Sequence, residues 1–129
     1  VYTDPEVAAV GLTEQQAGDK GIRYEVAEFP MADIDRAIAD DAPAGYARFL
    51  LNKGRIIGAS IVGAHAGELI HEVALAMQLG AKAKQLSELV HAYPTYAQLN
   101  RRTINSTYAG LLQSRKVRLL VWLLNRLIP

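Results

Sequence analysis

The chain has 129 residues, half of them apolar and 21% charged, which suits one domain with a real core. It has no cysteine, so disulfides, thiolate catalysis and thiolate metal sites are excluded within it. The net charge of +1 hides a division. Residues 1–88 hold all 13 acidic groups against 8 basic ones, and residues 89–129 hold 6 basic groups and no acid. The C-terminal part therefore calls for something acidic beside it: another domain, a ligand or a membrane surface.

In chain order, Pro5 makes the start an edge or turn, and Val7 to Leu12 reads as a short buried strand. Thr13-Glu14-Gln15-Gln16 is a T-x-x-Q capping box, which opens a short helix ending at Gly18 or Gly21. Ile22 to Phe29 alternates as a half-buried strand with Ile22, Tyr24 and Val26 as its apolar positions, stopped by Pro30. Met31 to Ala44 carries Asp33, Asp35, Asp40 and Asp41. It lacks the glycine and bidentate glutamate of a calcium loop, so a solvated loop or a short helix near Ile34–Ile38 is expected.

Gly45–Leu51 and Ile56–Val62 are strand-like runs flanking Asn52-Lys53-Gly54-Arg55, which predicts a hairpin whose second strand is central. After the small-residue loop Gly63–Gly67, the stripe Leu69, Ile70, Val73, Ala74 and Met77 predicts a helix over Glu68–Gly80. His65, Glu68, His71 and Glu72 lie near one another in sequence. With His65 in the loop, and His71 and Glu72 facing solvent or an interface, no metal site is expected. A second helix covers Ala83–Leu89, and a third covers Tyr96–Leu112 with Leu99, Ile104, Tyr108 and Leu111 inward.

Between those helices stands the octet His91-Ala92-Tyr93-Pro94-Thr95-Tyr96-Ala97-Gln98. Pro94 holds Tyr93 out of helical space, and Thr95 with Gln98 spells a second T-x-x-Q box. An extended segment thus meets a helix start, a junction that holds side chains rigidly in a cleft.

The octet resembles the C-terminal signature His-x-His-Pro-Thr-x-x-Glu of the flavin-dependent pyridine nucleotide–disulfide oxidoreductases. The likeness extends to Thr3-Asp4-Pro5-Glu6-Val7-Ala8, to Val10-Gly11-Leu12-Thr13-Glu14 and to Ala66-Gly67-Glu68-Leu69-Ile70, and covers roughly residues 1–110. It corresponds to the last third of such a flavoprotein, and so implies a fragment or an excised domain, inactive by itself. In the family the second His and the Glu form an acid–base pair that serves the other subunit's active site. Here those positions are Tyr93 and Gln98, and only His91, the first His, is retained. The tyrosine is closer to mercuric reductases than to dihydrolipoamide dehydrogenases.

The resemblance implies a dimerisation domain in a homodimer. FAD and NAD(P)H would be held by upstream domains of the same chain, and Tyr93, Pro94 and Thr95 would stand near the partner's flavin. It also implies a cytoplasmic flavoprotein of cell redox homeostasis. Free tyrosine ionises near pH 10, so Tyr93 does not replace a histidine base without a large downward shift. It can donate to a thiolate or lie beside a soft metal, and His91 is the possible substitute base. The alternative is that Tyr93 and Tyr96 are interface aromatics.

Residues 114–129 form a basic amphipathic tail with Arg115, Lys116, Arg118 and Arg126 beside Val117, Leu119–Leu124, Leu127 and Ile128, with Trp122 among them. It is too short to span a bilayer and suits either packing on another subunit or an interfacial membrane helix. The overall expectation is an α+β domain over residues 1–112, an antiparallel sheet of four or five strands with helices on one face, followed by a C-terminal helix over residues 113–129. The function is assembly of an oxidoreductase. The alternative is a stand-alone interaction or peripheral membrane module; nucleic acid is not expected as a partner.

Overall fold

The computed structural model describes residues 3–112 and 114–127. Val1, Tyr2, Gln113, Ile128 and Pro129 lie outside the described residues, as do the side chains of Leu111, Leu112, Asn125 and Leu127. Four antiparallel strands, β1 (Val7–Gly11), β2 (Glu25–Pro30), β3 (Gly45–Asn52) and β4 (Arg55–Gly63), form one sheet in the order β1-β4-β3-β2. The hairpin turns on Lys53 and Gly54, both at positive φ (49° and 77°), the mirror-image turn whose twist matches paired strands. β4, rich in Ile and Val, is central as expected. Gly58 lies so close to the Leu12 carbonyl that any Cβ there would strike backbone.

One sheet face carries Ala8, Ala27, Ala47, Phe49, Leu51, Ala59 and Ile61, all buried. Helix α3 (Ala66–Gln78) covers this face over β1 and β4, and α5 (Gln98–Leu112) covers it over β2 and β3. Leu69, Ile70 and Val73 supply the α3 stripe, and Leu99 and Ile104 that of α5. Phe49 is completely buried at the centre, a position where truncation to Ala costs about 3–5 kcal/mol.

Local signals account for most of the boundaries. Thr13 Oγ1 accepts from the Gln16 amide at 3.1 Å while the Thr13 amide donates to Gln16 Oε1 at 3.0 Å. This closes the capping box of α1 (Glu14–Asp19). Gly80, at φ +65°, follows the end of α3 as its left-handed exit residue. Helix α4 (Ala83–Glu88) then leads into the octet.

Three expectations are corrected. β1 is an edge strand, with only Ala8 of it fully buried. β2 begins at Glu25, and its inward residues are Ala27 and Phe29 rather than Tyr24 and Val26. Val26 pairs with Leu50 on the opposite face, because the register aligns Ala27 with Phe49. Lastly, α5 starts at Gln98, two residues later than the periodicity suggests. Of the two readings of the acidic segment, the short helix is the one formed: α2 (Asp35–Ala39) and the turn Met31–Asp33 before it bury Met31, Ile34 and Ala37.

Helix α6 (Arg115–Leu127) follows α5. Leu119, Leu120, Val121, Trp122, Leu123 and Leu124 are all exposed on it, and the Arg126 guanidinium lies 5.0 Å from the Trp122 ring centre. No helix among the described residues is long and apolar enough to cross a membrane.

Candidate functional site

The octet lies across the gap between α4 and α5 and is held from two sides. Its first residue turns inward. The His91 side chain is 4% exposed, with Nε2 2.6 Å from Glu72 Oε1 and Nδ1 3.1 Å from the Leu89 carbonyl. Carboxylate and carbonyl oxygens only accept, so both contacts are hydrogen bonds at once only for the doubly protonated ring. Asn100, fully buried at the start of α5, donates through Nδ2 to the other Glu72 oxygen at 2.7 Å and to the Leu69 carbonyl at 3.0 Å. The Asn100 Oδ1 atom is buried with no hydrogen-bond partner among the described residues. Glu72 thus ties α3, the octet and α5 together.

His91 is therefore a structural tie in this arrangement, with both ring nitrogens engaged and no face turned outward. To substitute for the missing base, His91 would have to leave its contact with Glu72. Glu72 likewise faces this buried cluster rather than solvent or an interface.

Ala92, Tyr93 and Pro94 face the surface, and residues 95–98 are half-buried. Tyr93 is 68% exposed, and Ala92 and Pro94 beside it are also exposed. Its phenol donates to Asp35 Oδ2 at 2.7 Å. Three residues on, Tyr96 donates to Asp40 Oδ2 at 3.0 Å and stacks at a tilt on His65, ring centres 4.6 Å apart. Asp40 also accepts from Arg36 Nε at 2.9 Å.

These contacts move several ionisations. The hydrogen bond to Asp35 raises the Tyr93 pKa. Tyr96 is raised by burial first and by its bond to Asp40 second. Hydrogen bonds from Arg36 and then from Tyr96 hold the Asp40 carboxyl below its usual range. Tyr93 therefore moves away from the neutral range that general acid–base work requires.

The second T-x-x-Q motif does not form a capping box. Thr95 Oγ1 donates backwards to the Ala92 carbonyl at 2.6 Å instead of capping α5. Gln98, the position of the family's glutamate, lies beside Arg101, Arg102 and Asn105 around a shallow depression of about 310 Å³. No hydrogen bond joins it to Tyr93 among the described residues. The carboxylate that meets Tyr93 is Asp35, from α2.

Sequence reasoning passed over Asp35, Asp40 and Asn100 as site-building residues. The available signal was a polar residue on a buried stripe: Asn100 lies between Leu99 and Ile104 on α5, as Glu72 lies between Leu69 and Val73 on α3. Among the described residues no group of three His, Asp or Glu side chains could hold a metal ion. A cleft of about 500 Å³ is lined by Arg23, Tyr24, Lys53, Lys82, Ile104 and Tyr108 among others, and reaches the Glu25 end of β2, away from Pro30 and α2.

Fold and octet together define a helix-backed α+β domain that presents a firmly anchored surface loop. Over residues 1–102 the sequence matches the family described as pyridine nucleotide-disulphide oxidoreductase, dimerisation domain, and the chain belongs to that family. It is 48% identical over 99 residues to a dihydrolipoyl dehydrogenase of Buchnera aphidicola, covering 75% of this chain and 21% of that protein. It is 39% identical over 110 residues to the mitochondrial dihydrolipoyl dehydrogenase of Pisum sativum, covering 84% and 22%. The chain spans about a fifth of the length of these curated relatives.

Among solved structures, the HOCl-induced flavoprotein disulfide reductase RclA of Escherichia coli superposes with a TM-score of 0.78 at 25% identity, over 81% of this chain and 25% of that one. LpdA of Mycobacterium tuberculosis shares the fold, with a TM-score of 0.76 at 24% identity, over 83% of this chain and 24% of that one.

Proposed function

We propose that this domain pairs two subunits of an FAD- and NAD(P)H-dependent disulfide-reductase-like oxidoreductase. Its Tyr93-Pro94-Thr95 segment would enter the partner subunit's active site. The observation that carries the reading is the family match over residues 1–102, whose signature octet here forms a loop exposed at residues 92–94 and anchored on α2 and α3. The two subunits form a two-fold homodimer, and upstream domains of the same chain hold the flavin and the nicotinamide. Neither Tyr93 nor Gln98, which stand in place of the family's His and Glu, works as a neutral-pH base, and His91, the candidate substitute, is held on Glu72. Tyr93, Pro94 and Thr95 then contribute shape and hydrogen bonding beside the flavin.

Subunit complementation tests this in the longer flavoprotein. One variant lacks the redox-active Cys pair and the other carries Tyr93→Ala. If the octet works across the seam, the hybrid dimer holds one intact site and outperforms either parent. A hybrid no more active than its parents places the octet's action within its own subunit and overturns the reading.

A second reading concerns α6. Its exposed run Leu119–Leu124 lies beside Arg115, Lys116, Arg118 and Arg126 with no acid in the helix, the chemistry of a helix lying on an anionic lipid surface at the cytoplasmic face. Co-sedimentation with phosphatidylserine vesicles, with and without residues 114–129, tests it. Equal sedimentation of both forms removes this reading and leaves packing on another subunit as the role of α6.

A further inference from the structure

A phenol has one proton to donate. In Tyr93 that proton goes to Asp35 of the same chain, at 2.7 Å, on an exposed ring with no other hydrogen bond among the described residues. The side chain then offers a neighbour its oxygen lone pairs and its ring edge. The Asp35 carboxylate stands against the same oxygen and adds negative charge there. The carboxylate partner thus comes from a segment 58 residues earlier, and not from position 98, where Gln98 carries no charge.

We propose that Asp35 is a positioning residue that fixes Tyr93 as a hydrogen-bond acceptor, so that the octet receives substrate groups that donate. Thiols, hydroxyls, amides and ammonium groups fit such a position. Thiolates and carboxylates do not, because they meet a lone pair backed by a carboxylate where they need a donor. This inference rests on the proposed entry of the octet into the partner's site. The contact between Asp35 and Tyr93 stands apart from that entry.

Several observations support the assignment. Asp35 is exposed at the start of α2, whose buried anchors are Ile34 and Ala37, so its carboxylate is not needed for packing. The neighbouring pair repeats the arrangement, with Tyr96 donating to Asp40, so α2 grips both tyrosines of the octet through carboxylates at its two ends. The upward shift of the Tyr93 pKa has the bond to Asp35 as its first cause and keeps the proton on the phenol. The charged group that acts in the other direction on Tyr93 is Arg102, which lies over the Phe29 ring, 5.9 Å from its centre.

The test has two parts. In this chain, alkaline titration of tyrosinate absorbance, assigned by Tyr93→Phe, should show Tyr93 ionising later than an ordinary tyrosine. Asp35→Ala should return it towards about pH 10, and Asp35→Asn should show the effect of losing the charge alone. An unchanged Tyr93 titration in Asp35→Ala overturns the positioning role.

In the longer flavoprotein, kcat/KM is compared for two disulfides, neutral oxidised mercaptoethanol and its dianionic analogue dithiodiglycolate. Asp35→Ala frees the phenol to donate and should raise the dianion's kcat/KM relative to the neutral disulfide by on the order of tenfold. An unchanged ratio overturns the acceptor assignment. Failure of subunit complementation alongside a shifted titration counts against the entry of the octet into the partner's site, and against nothing else.

Discussion

The chain contains the same local phrase twice, Thr13-Glu14-Gln15-Gln16 and Thr95-Tyr96-Ala97-Gln98, and folds it in two ways. At Thr13 the hydroxyl and the Gln16 side chain cap each other's amides, and α1 starts where the phrase predicts. At Thr95 the hydroxyl turns back to Ala92, and α5 waits until Gln98. The difference lies in what surrounds each phrase. Among the described residues the Thr13 hydroxyl and the Gln16 side chain have no side-chain hydrogen bond other than the cap itself. Around Thr95, Tyr93 and Tyr96 are drawn onto Asp35 and Asp40, while His91 and Asn100 are drawn onto Glu72. Four side-chain bonds of longer range outweigh one local cap, and the backbone between them follows.

That contrast can be broken by mutation. The largest effect is expected at Glu72→Ala, which leaves a void beside His91 and Asn100 and removes one hydrogen-bond partner from each. Urea unfolding should show a loss of about 2–4 kcal/mol. A loss below that of a single cap would mean the octet is not held from α3. Thr13→Ala should cost about 1 kcal/mol by the same measurement, since it removes a working N-cap. Thr95→Ala should cost only about 0.5 kcal/mol, the worth of one partly exposed hydrogen bond. Backbone chemical shifts should leave the start of α5 at Gln98, and a shift of that start would restore Thr95 as a cap.

A subtler effect belongs to Asp40. Its folded pKa is lowered by Arg36 and Tyr96, so its contribution to stability is complete above the ordinary carboxylate range. The contribution fades as pH falls through the depressed folded value. Asp40→Asn should therefore flatten the acid side of the stability–pH curve and leave its shape unchanged above that range. An acid limb identical in both proteins would remove the Arg36–Asp40–Tyr96 chain from the account. The smallest effect is expected from Gln98→Ala, within about 0.5 kcal/mol. A larger loss would mean that the side chain caps or orients something after all.

Much of the fold was legible because its signals are local or periodic. The hairpin at Lys53-Gly54 needs residues that accept positive φ, the α3 stripe needs apolar residues at helical spacing, and the first capping box needs only four consecutive residues. The register of β2 was not legible. Val26 and Ala27 are both compatible with a strand, and only pairing with Phe49 decides which one faces the core. In the acidic stretch of residues 33–41 the short helix was legible, but its packing was not: Met31, Ile34 and Ala37 are buried beneath the charges.

By itself the sequence determined the strands and helices, the lack of any thiol, the position of the octet and the replacement of a His–Glu pair by Tyr93 and Gln98. These are properties of single residues and short spacings. Only the tertiary structure decided what each octet residue touches. His91 is buried on Glu72, and Tyr93 is held by a carboxylate 58 residues away. No spacing rule reaches that far, because the fold alone brings α2 and α3 within hydrogen-bond distance of the same eight residues.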